Sequence, residues 1–82
     1  MKKCRAGRYK IPEMFPWAEF PKGYTIVNRN ESYLKIELLE GERSCYFQYV
    51  AAGDAIYVWL QTGMLLIADH EFEIGEFEVN DL

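Results

Sequence analysis

Residues 33–68 read YLKIELLEGERSCYFQYVAAGDAIYVWLQTGMLLIA, and this stretch decides the fold class. Its apolar residues recur at every second position, which is typical of β-strands that bury one face. The alternating positions form two triplets: Leu34, Ile36, Leu38 and Ile56, Val58, Leu60. Glycine-containing turns separate the runs, and the predicted strands cover residues 24–28, 33–40, 43–50, 55–61, 64–69 and 71–79. The 82-residue chain is therefore predicted to be a single all-β domain, an antiparallel meander of five or six strands forming a small barrel or sandwich.

The turns also predict which residues of neighbouring strands lie opposite each other. A two-residue turn at Gly41-Glu42 places Phe47 opposite Ile36, and the loop that follows places Val58 opposite Phe47. By the same registers Cys45 falls on this apolar face. Ile36, Cys45, Phe47 and Val58 are therefore predicted core residues, and Cys45 is interpreted as a small packing residue.

The opposite face of the predicted sheet is unusually apolar at its centre. The registers place Tyr46, Tyr57 and Trp59 there, where a solvated face would carry polar residues. One interpretation is that the apolar segment 14–20 folds across this face or that the sheet curls and buries it. The other is a partner-binding patch, because tyrosine and tryptophan are the residues that most often anchor interfaces.

The first 22 residues differ from the rest of the chain. Pro12, Pro16 and Pro21 exclude a long helix and a central strand there. Residues 1–22 contain six basic and two acidic side chains, whereas residues 23–82 contain three basic and eleven acidic ones. We expect a basic, Pro-rich N-terminal arm (1–22) packed across an acidic all-β domain (23–82).

The last predicted strand is strongly acidic. A β-bulge at Gly75 would place Glu71, Glu73, Glu76 and Glu78 together on its outer face. These glutamates can be the charged, aggregation-resistant surface of an edge strand, which the basic arm would pair against and neutralise. Alternatively they form an electrostatic surface for a basic partner, including one that grips phosphate.

Few side chains of the sequence could act in catalysis or bind a metal ion. His70 is the only histidine, and Cys45 with His70 is the one conceivable nucleophile–base pair. One histidine and two distant cysteines do not match a zinc site, and no glycine-rich phosphate loop occurs. We predict no enzymatic activity, no metal and no cofactor. The basic head lacks a following apolar run, so we expect a cytoplasmic protein with reduced Cys4 and Cys45 and no membrane partner.

These observations favour a small acidic interaction protein, an inhibitor or adaptor that covers a basic surface of a nucleic-acid-handling partner. In size and charge it is similar to phage-type anti-defence and anti-CRISPR proteins, which is an analogy only. The expected partner-binding residues are Glu71, Glu73, Glu76, Glu78, Trp59, Tyr57 and Tyr46. The alternative is a small β-barrel that binds single-stranded nucleic acid by stacking bases on Tyr46, Tyr57 and Trp59, although the acidic composition argues against nucleic acid. Homo-oligomers could form through an edge strand or the second apolar face.

Overall fold

The computed structural model of the chain describes residues 1–77 and shows two four-stranded antiparallel sheets. The strands are β1 (Lys2–Cys4), β2 (Gly7–Lys10), β3 (Lys22–Val27), β4 (Leu34–Glu40), β5 (Arg43–Val50), β6 (Ala55–Leu60), β7 (Met64–Ala68) and β8 (Phe72–Glu76), and one helical turn, α1 (Ile11–Met14), follows β2. Sheet A has the order β1-β8-β3-β6, and sheet B has the order β2-β7-β4-β5. The prediction of an antiparallel all-β domain is confirmed.

A single apolar core lies between the two sheets. Sheet A contributes every second residue of its strands, including the fully buried Tyr24, Ile26 and Ile74, and sheet B contributes Leu34 and Ile36. This alternation follows from the pleat, which directs successive side chains of a strand to opposite faces.

The strand connections differ from the predicted meander. Of the described loops only the β4–β5 turn joins neighbours within one sheet, because β6 pairs with β3 and β7 pairs with β4. The loops at 51–54 and 61–63 therefore carry the chain from one sheet to the other. Eight strands replace the predicted five or six, and residues 1–77 form two open sheets and no closed barrel. The periodicity of a strand fixes which residues share a face, but it does not identify the neighbouring strand.

A β-bulge reverses the predicted faces of β5. The pairing of β4 with β5 shifts between Leu38 and Leu39, so Glu37 lies opposite Phe47 and Leu38 lies opposite Tyr46. A one-residue shift moves every side chain of a strand to the other face. The prediction that Cys45 and Phe47 are core residues is therefore wrong, since both are exposed, whereas Ile36 and Val58 are buried as predicted.

The N-terminal residues belong to both sheets. Strand β1 pairs with β8 and strand β2 pairs with β7, which closes one side of the sandwich with short, basic strands. The Pro-rich segment that follows packs against the core from one end, with Met14 buried and Phe15 stacked on Tyr24 at 4.5 Å between ring centroids. It does not cover the face that exposes Tyr57 and Trp59, so the predicted packing across that face is not found.

Asn28 is the only polar residue in the buried core of the described chain. Its side-chain amide donates to the carbonyl oxygens of Ser32 and Val50, both at 2.8 Å, and its Oδ1 accepts from the backbone N–H of Asn30 at 2.8 Å. Its backbone N–H donates to the carbonyl of Asp54 at 2.9 Å. Asn28 thus ties the β3–β4 turn to the β5–β6 loop, at the place where the chain crosses between the sheets.

Candidate functional site

The outer face of sheet A carries a cluster of exposed apolar side chains. Tyr57 and Trp59 project from β6 with 68% and 60% of their surface exposed. Phe77, just beyond β8, and Met1, just before β1, are also exposed. These four residues are here called the aromatic patch. Soluble proteins seldom leave such a cluster in water unless it contacts a partner.

Two glycines on neighbouring strands form the floor of the aromatic patch. Gly23 of β3 lies opposite Trp59, and a Cβ at this position would be 3.2 Å from the indole ring. Gly75 of β8 lies beneath Met1, where a Cβ would be 3.1 Å from the methionine side chain. Because the two glycines have no side chains, the large residues rest directly on the backbone of the sheet.

Contacts between the patch residues hold them in place. The rings of Tyr57 and Phe77 meet edge to face at 5.1 Å between centroids. The backbone N–H of Phe77 donates to the carbonyl of Gly23 at 3.0 Å, which continues the β3–β8 pairing past the end of β8. A rigid aromatic surface loses little conformational entropy on binding, which favours its use as an anchor.

Two ion pairs are formed by residues of β3, β8 and the turn after β3. Lys22 Nζ lies 2.9 Å from Glu76 Oε1, and Arg29 Nε lies 2.6 Å from Glu73 Oε2. The hydrogen bond to Glu76 raises the pKa of the Lys22 ammonium, so this lysine stays charged and paired at neutral pH. The Arg29–Glu73 pair lies on the outer side of β8, the side of the patch, whereas Glu76 of the other pair lies on the opposite side.

The predicted row of four glutamates does not form as expected. Strand β8 keeps one register with β1 and one with β3, so the predicted bulge at Gly75 is absent. Glu73 lies on the outer side of sheet A, whereas Glu76 lies on the opposite side of β8. Glu71 precedes β8, and Glu78 lies outside the described residues. Strand β8 is also an internal strand, not an edge, and the basic strand β1 pairs against it.

Tyr46 does not join Tyr57 and Trp59. It points toward the interior side of β5 in sheet B, opposite Leu38, and is partly buried. Burial raises the pKa of its phenol. The three aromatic residues proposed to stack nucleic-acid bases therefore do not form one platform, and the β5 bulge is the reason.

The same bulge creates a second exposed cluster, on the outer face of sheet B, which the sequence did not predict. Phe47 and Tyr49 of β5 meet edge to face at 5.2 Å, and Tyr33 meets Tyr49 at 6.5 Å. The ammonium of Lys35 lies 5.7 Å from the centroid of Phe47. The sequence does contain an indication of the bulge, because Leu38 and Leu39 are two consecutive apolar residues that interrupt the alternation.

Cys45 and His70 are far apart. Tyr49 of β5 pairs with Lys35 of β4. The carbonyl of Lys35 accepts a hydrogen bond from the backbone N–H of Asp69, the residue before His70, so His70 lies near this end of β5. Cys45 is four residues further along β5, roughly 13 Å away at the rise of a strand. The Cys45 thiol instead donates to the carbonyl of Leu38 at 3.4 Å. The geometry does not assemble these two residues into a nucleophile–base pair.

Residues 1–77 contain no group of three or more histidine, cysteine or acidic side chains placed to hold a metal ion. The same residues include no helix with the length and apolar character needed to cross a membrane. Both cysteines are free thiols: Cys4 is buried, with its pKa raised by burial, and Cys45 is exposed.

No protein-family model, characterised protein or solved structure matches this chain. Among the described residues, the aromatic patch is the strongest candidate for a functional surface.

Proposed function

We propose that this protein is a small acidic, non-enzymatic interaction module that binds a basic protein surface through the aromatic patch. In this role it acts as an inhibitor or adaptor and covers a surface that its partner uses to handle nucleic acid. Glu71, exposed just before β8, contributes the acidic border of the contact, beside Glu73, whose carboxylate is paired with Arg29.

The observation that supports this proposal is the exposure of Tyr57 and Trp59 on the same face of β6. Neither side chain is needed to fill the core, because Ile56, Val58 and Leu60 of the same strand do that from the other face. Exposed tyrosine and tryptophan at the centre of an apolar patch are the residue types that supply most of the binding energy at protein interfaces.

The charge of the chain supports a basic partner. Residues 23–82 carry three basic and eleven acidic side chains, and a surface that grips phosphate is positively charged. Complementary charges of this kind accelerate association and exclude wrong partners, while the apolar anchors determine the dissociation rate.

Single-stranded nucleic acid is the alternative ligand, and two exposed aromatic rings on one strand favour it. Tyr57 and Trp59 could stack two successive bases. However, two of the nearby cations, Lys22 and Arg29, are each bonded to a glutamate, and Lys3 of β1 lies opposite Glu73. Because phosphate binding depends on available cations, a protein partner is the better explanation.

The two tryptophans of the chain provide a matched test. Trp59 is in the aromatic patch, whereas Trp17, at 92% exposure, is on the Pro-rich segment and is not one of the patch residues. Immobilised wild-type protein, Trp59→Ala and Trp17→Ala are used to capture partners from cell lysate, and the captured protein is then purified for affinity measurements. We expect Trp59→Ala to weaken binding by about 30-fold, equivalent to the ~2 kcal/mol of an interface anchor, and Trp17→Ala to leave it unchanged.

A charge reversal tests the acidic border separately. Glu71→Lys should slow association and flatten its salt dependence, whereas Glu42→Lys, on the β4–β5 turn, should do neither. A labelled single-stranded oligonucleotide is titrated in parallel. Equal binding by the two tryptophan variants would refute the proposed surface, and tight binding of the oligonucleotide that is lost in Trp59→Ala would favour the alternative.

A further inference from the structure

The four edges of the two sheets differ in how they are protected from pairing with another chain. Strand β1 is three residues long and contains two lysines, and β2 is four residues long and contains Arg8 and Lys10. Strand β5 begins at Arg43 and is distorted by the bulge opposite Leu38 and Leu39. Short length, positive charge and bulges are the devices that keep edge strands from associating.

Strand β6 has none of these devices. It reads AIYVWL, six residues without a charge or a proline, and it pairs with β3 in one unbroken register. Among residues 1–77, β3 is the only strand that pairs with it. An apolar, uncharged and regularly paired edge of this kind is a site for β-strand addition.

The hydrogen-bond pattern identifies the backbone groups that β6 offers. The N–H of Asn28, just after β3, donates to the carbonyl of Asp54, just before β6. The carbonyl of Gly23 in β3 instead accepts from the N–H of Phe77, on the β8 side of β3. Because backbone groups alternate in direction along an antiparallel strand, the even-numbered residues of β6 bond to β3. The N–H and C=O groups of Ala55, Tyr57 and Trp59 therefore point to the open edge.

We propose that two copies of this protein associate by antiparallel pairing of their β6 strands across a two-fold axis at Tyr57. Each Tyr57 then lies opposite the Tyr57 of the second copy, and each Ala55 lies opposite Trp59. This register pairs residues 55–59 of the two strands and sets the smallest side chain of the strand against the largest. It joins the two copies of sheet A into one eight-stranded sheet and brings their aromatic patches side by side.

Self-complementarity favours a second copy as the occupant of this edge. The chain carries a net charge of −4, so two copies repel each other unless they meet at an uncharged surface. A two-fold interface must be complementary to itself, and an uncharged strand meets this condition without like charges facing each other. The paired strands are only roughly 20 Å long, so the dimer is expected to be weak, with dissociation in the micromolar range.

Amide hydrogen exchange measured at two protein concentrations tests the proposal without any partner protein, so its outcome is independent of the proposed function. The amides of Ile56, Val58 and Leu60 should be protected at both concentrations, which makes them an internal control. The amides of Ala55, Tyr57 and Trp59 should exchange freely in dilute solution and slow by about tenfold at ~1 mM, as they become hydrogen-bonded in the dimer. Sedimentation velocity at the same concentrations gives the oligomeric state.

A pair of charge variants tests the register. Tyr57→Lys and Tyr57→Glu should each be monomeric, because like charges would meet on the axis, and an equimolar mixture of the two should recover the dimer. Tyr57→Phe should dimerise like the wild type, and thermal melts establish that each variant is folded. A wild-type protein that stays monomeric at ~1 mM, a dimer whose Ala55, Tyr57 and Trp59 amides still exchange freely, or a mixture that does not associate would overturn the proposal.

Discussion

Replacing Asn28 by alanine should destabilise this protein more than any substitution on its surface. The side chain is fully buried and makes four hydrogen bonds: two to the carbonyls of Ser32 and Val50, and two to the backbone and side-chain nitrogens of Asn30. Alanine removes all four and leaves the carbonyl of Val50 buried without this donor. At about 1 kcal/mol for each net hydrogen bond, with part of the set near solvent, the expected loss is about 3 kcal/mol.

This loss is a large fraction of the total. A chain of this length has a free energy of unfolding of roughly 4–12 kcal/mol. Urea denaturation followed by tryptophan fluorescence measures the change, and with a slope near 1–1.5 kcal/mol/M the midpoint should fall by about 2–3 M. The control is Ser32→Ala, because only the backbone carbonyl of this residue bonds to Asn28, and its midpoint should not move.

Asn28→Asp adds a test with a defined pH dependence. In this variant one carboxylate oxygen can still accept the hydrogen bond from Asn30. The second oxygen takes the place of the amide nitrogen and faces the carbonyl oxygens of Ser32 and Val50 in a buried site. Burial and these dipoles favour the neutral acid, so the folded-state pKa should lie above the ordinary value near 4. The variant should therefore be least destabilised below about pH 4 and should lose stability as the pH rises above it. A loss below ~1 kcal/mol for Asn28→Ala, or a stability of Asn28→Asp that does not change with pH, would refute the assigned role.

Two further predictions concern Tyr24 and the cysteines. Tyr24→Phe should raise the free energy of unfolding by about 1 kcal/mol in chemical denaturation, because the Tyr24 hydroxyl is buried without a hydrogen-bond partner, whereas Tyr57→Phe at an exposed ring should have no effect. Burial raises the pKa of Tyr24, so the free energy of unfolding of the wild type should also fall as the pH rises past ~10, where Tyr24 ionises in the unfolded chain. Tyr24→Phe should lose less stability over the same pH range. An equal dependence of stability on pH in the two proteins would contradict this. In a thiol-reagent assay of the native protein, exposed Cys45 should react rapidly and buried Cys4 slowly, since burial raises the pKa of the Cys4 thiol. Cys45→Ser should abolish the fast phase of the reaction. A fast phase that survives in this variant would place Cys4 at the surface.

The sequence pattern predicted the strands better than it predicted their neighbours. Alternation identified the buried face of β4 and of β6, and the turns at Gly41 and Gly53 occur where predicted, both with positive φ. Sheet partners could not be predicted, because a loop as short as 51–54 can close a hairpin or cross to the opposite sheet with the same residues. The bulge after Leu38 was decisive, since one extra residue exchanged the faces of β5 from Tyr46 onward.

The candidate site was predicted only in part for the same reason. Tyr57 and Trp59 share a strand, so alternation alone placed them opposite the core residues of β6. Met1, Gly23 and Phe77 reach the patch through the pairing of β1, β8 and β3, which are far apart in sequence. Local periodicity contains no information about such contacts.

The central claim, that the aromatic patch is the binding surface, is tested most directly by the two indole N–H signals of the protein. In a nitrogen-15 labelled sample these report Trp17 and Trp59 separately, and Trp59→Ala assigns them. On addition of the purified partner we expect the Trp59 signal to shift or broaden while the Trp17 signal stays in place. A titration that moves Trp17 and leaves Trp59 unchanged would contradict the proposed surface.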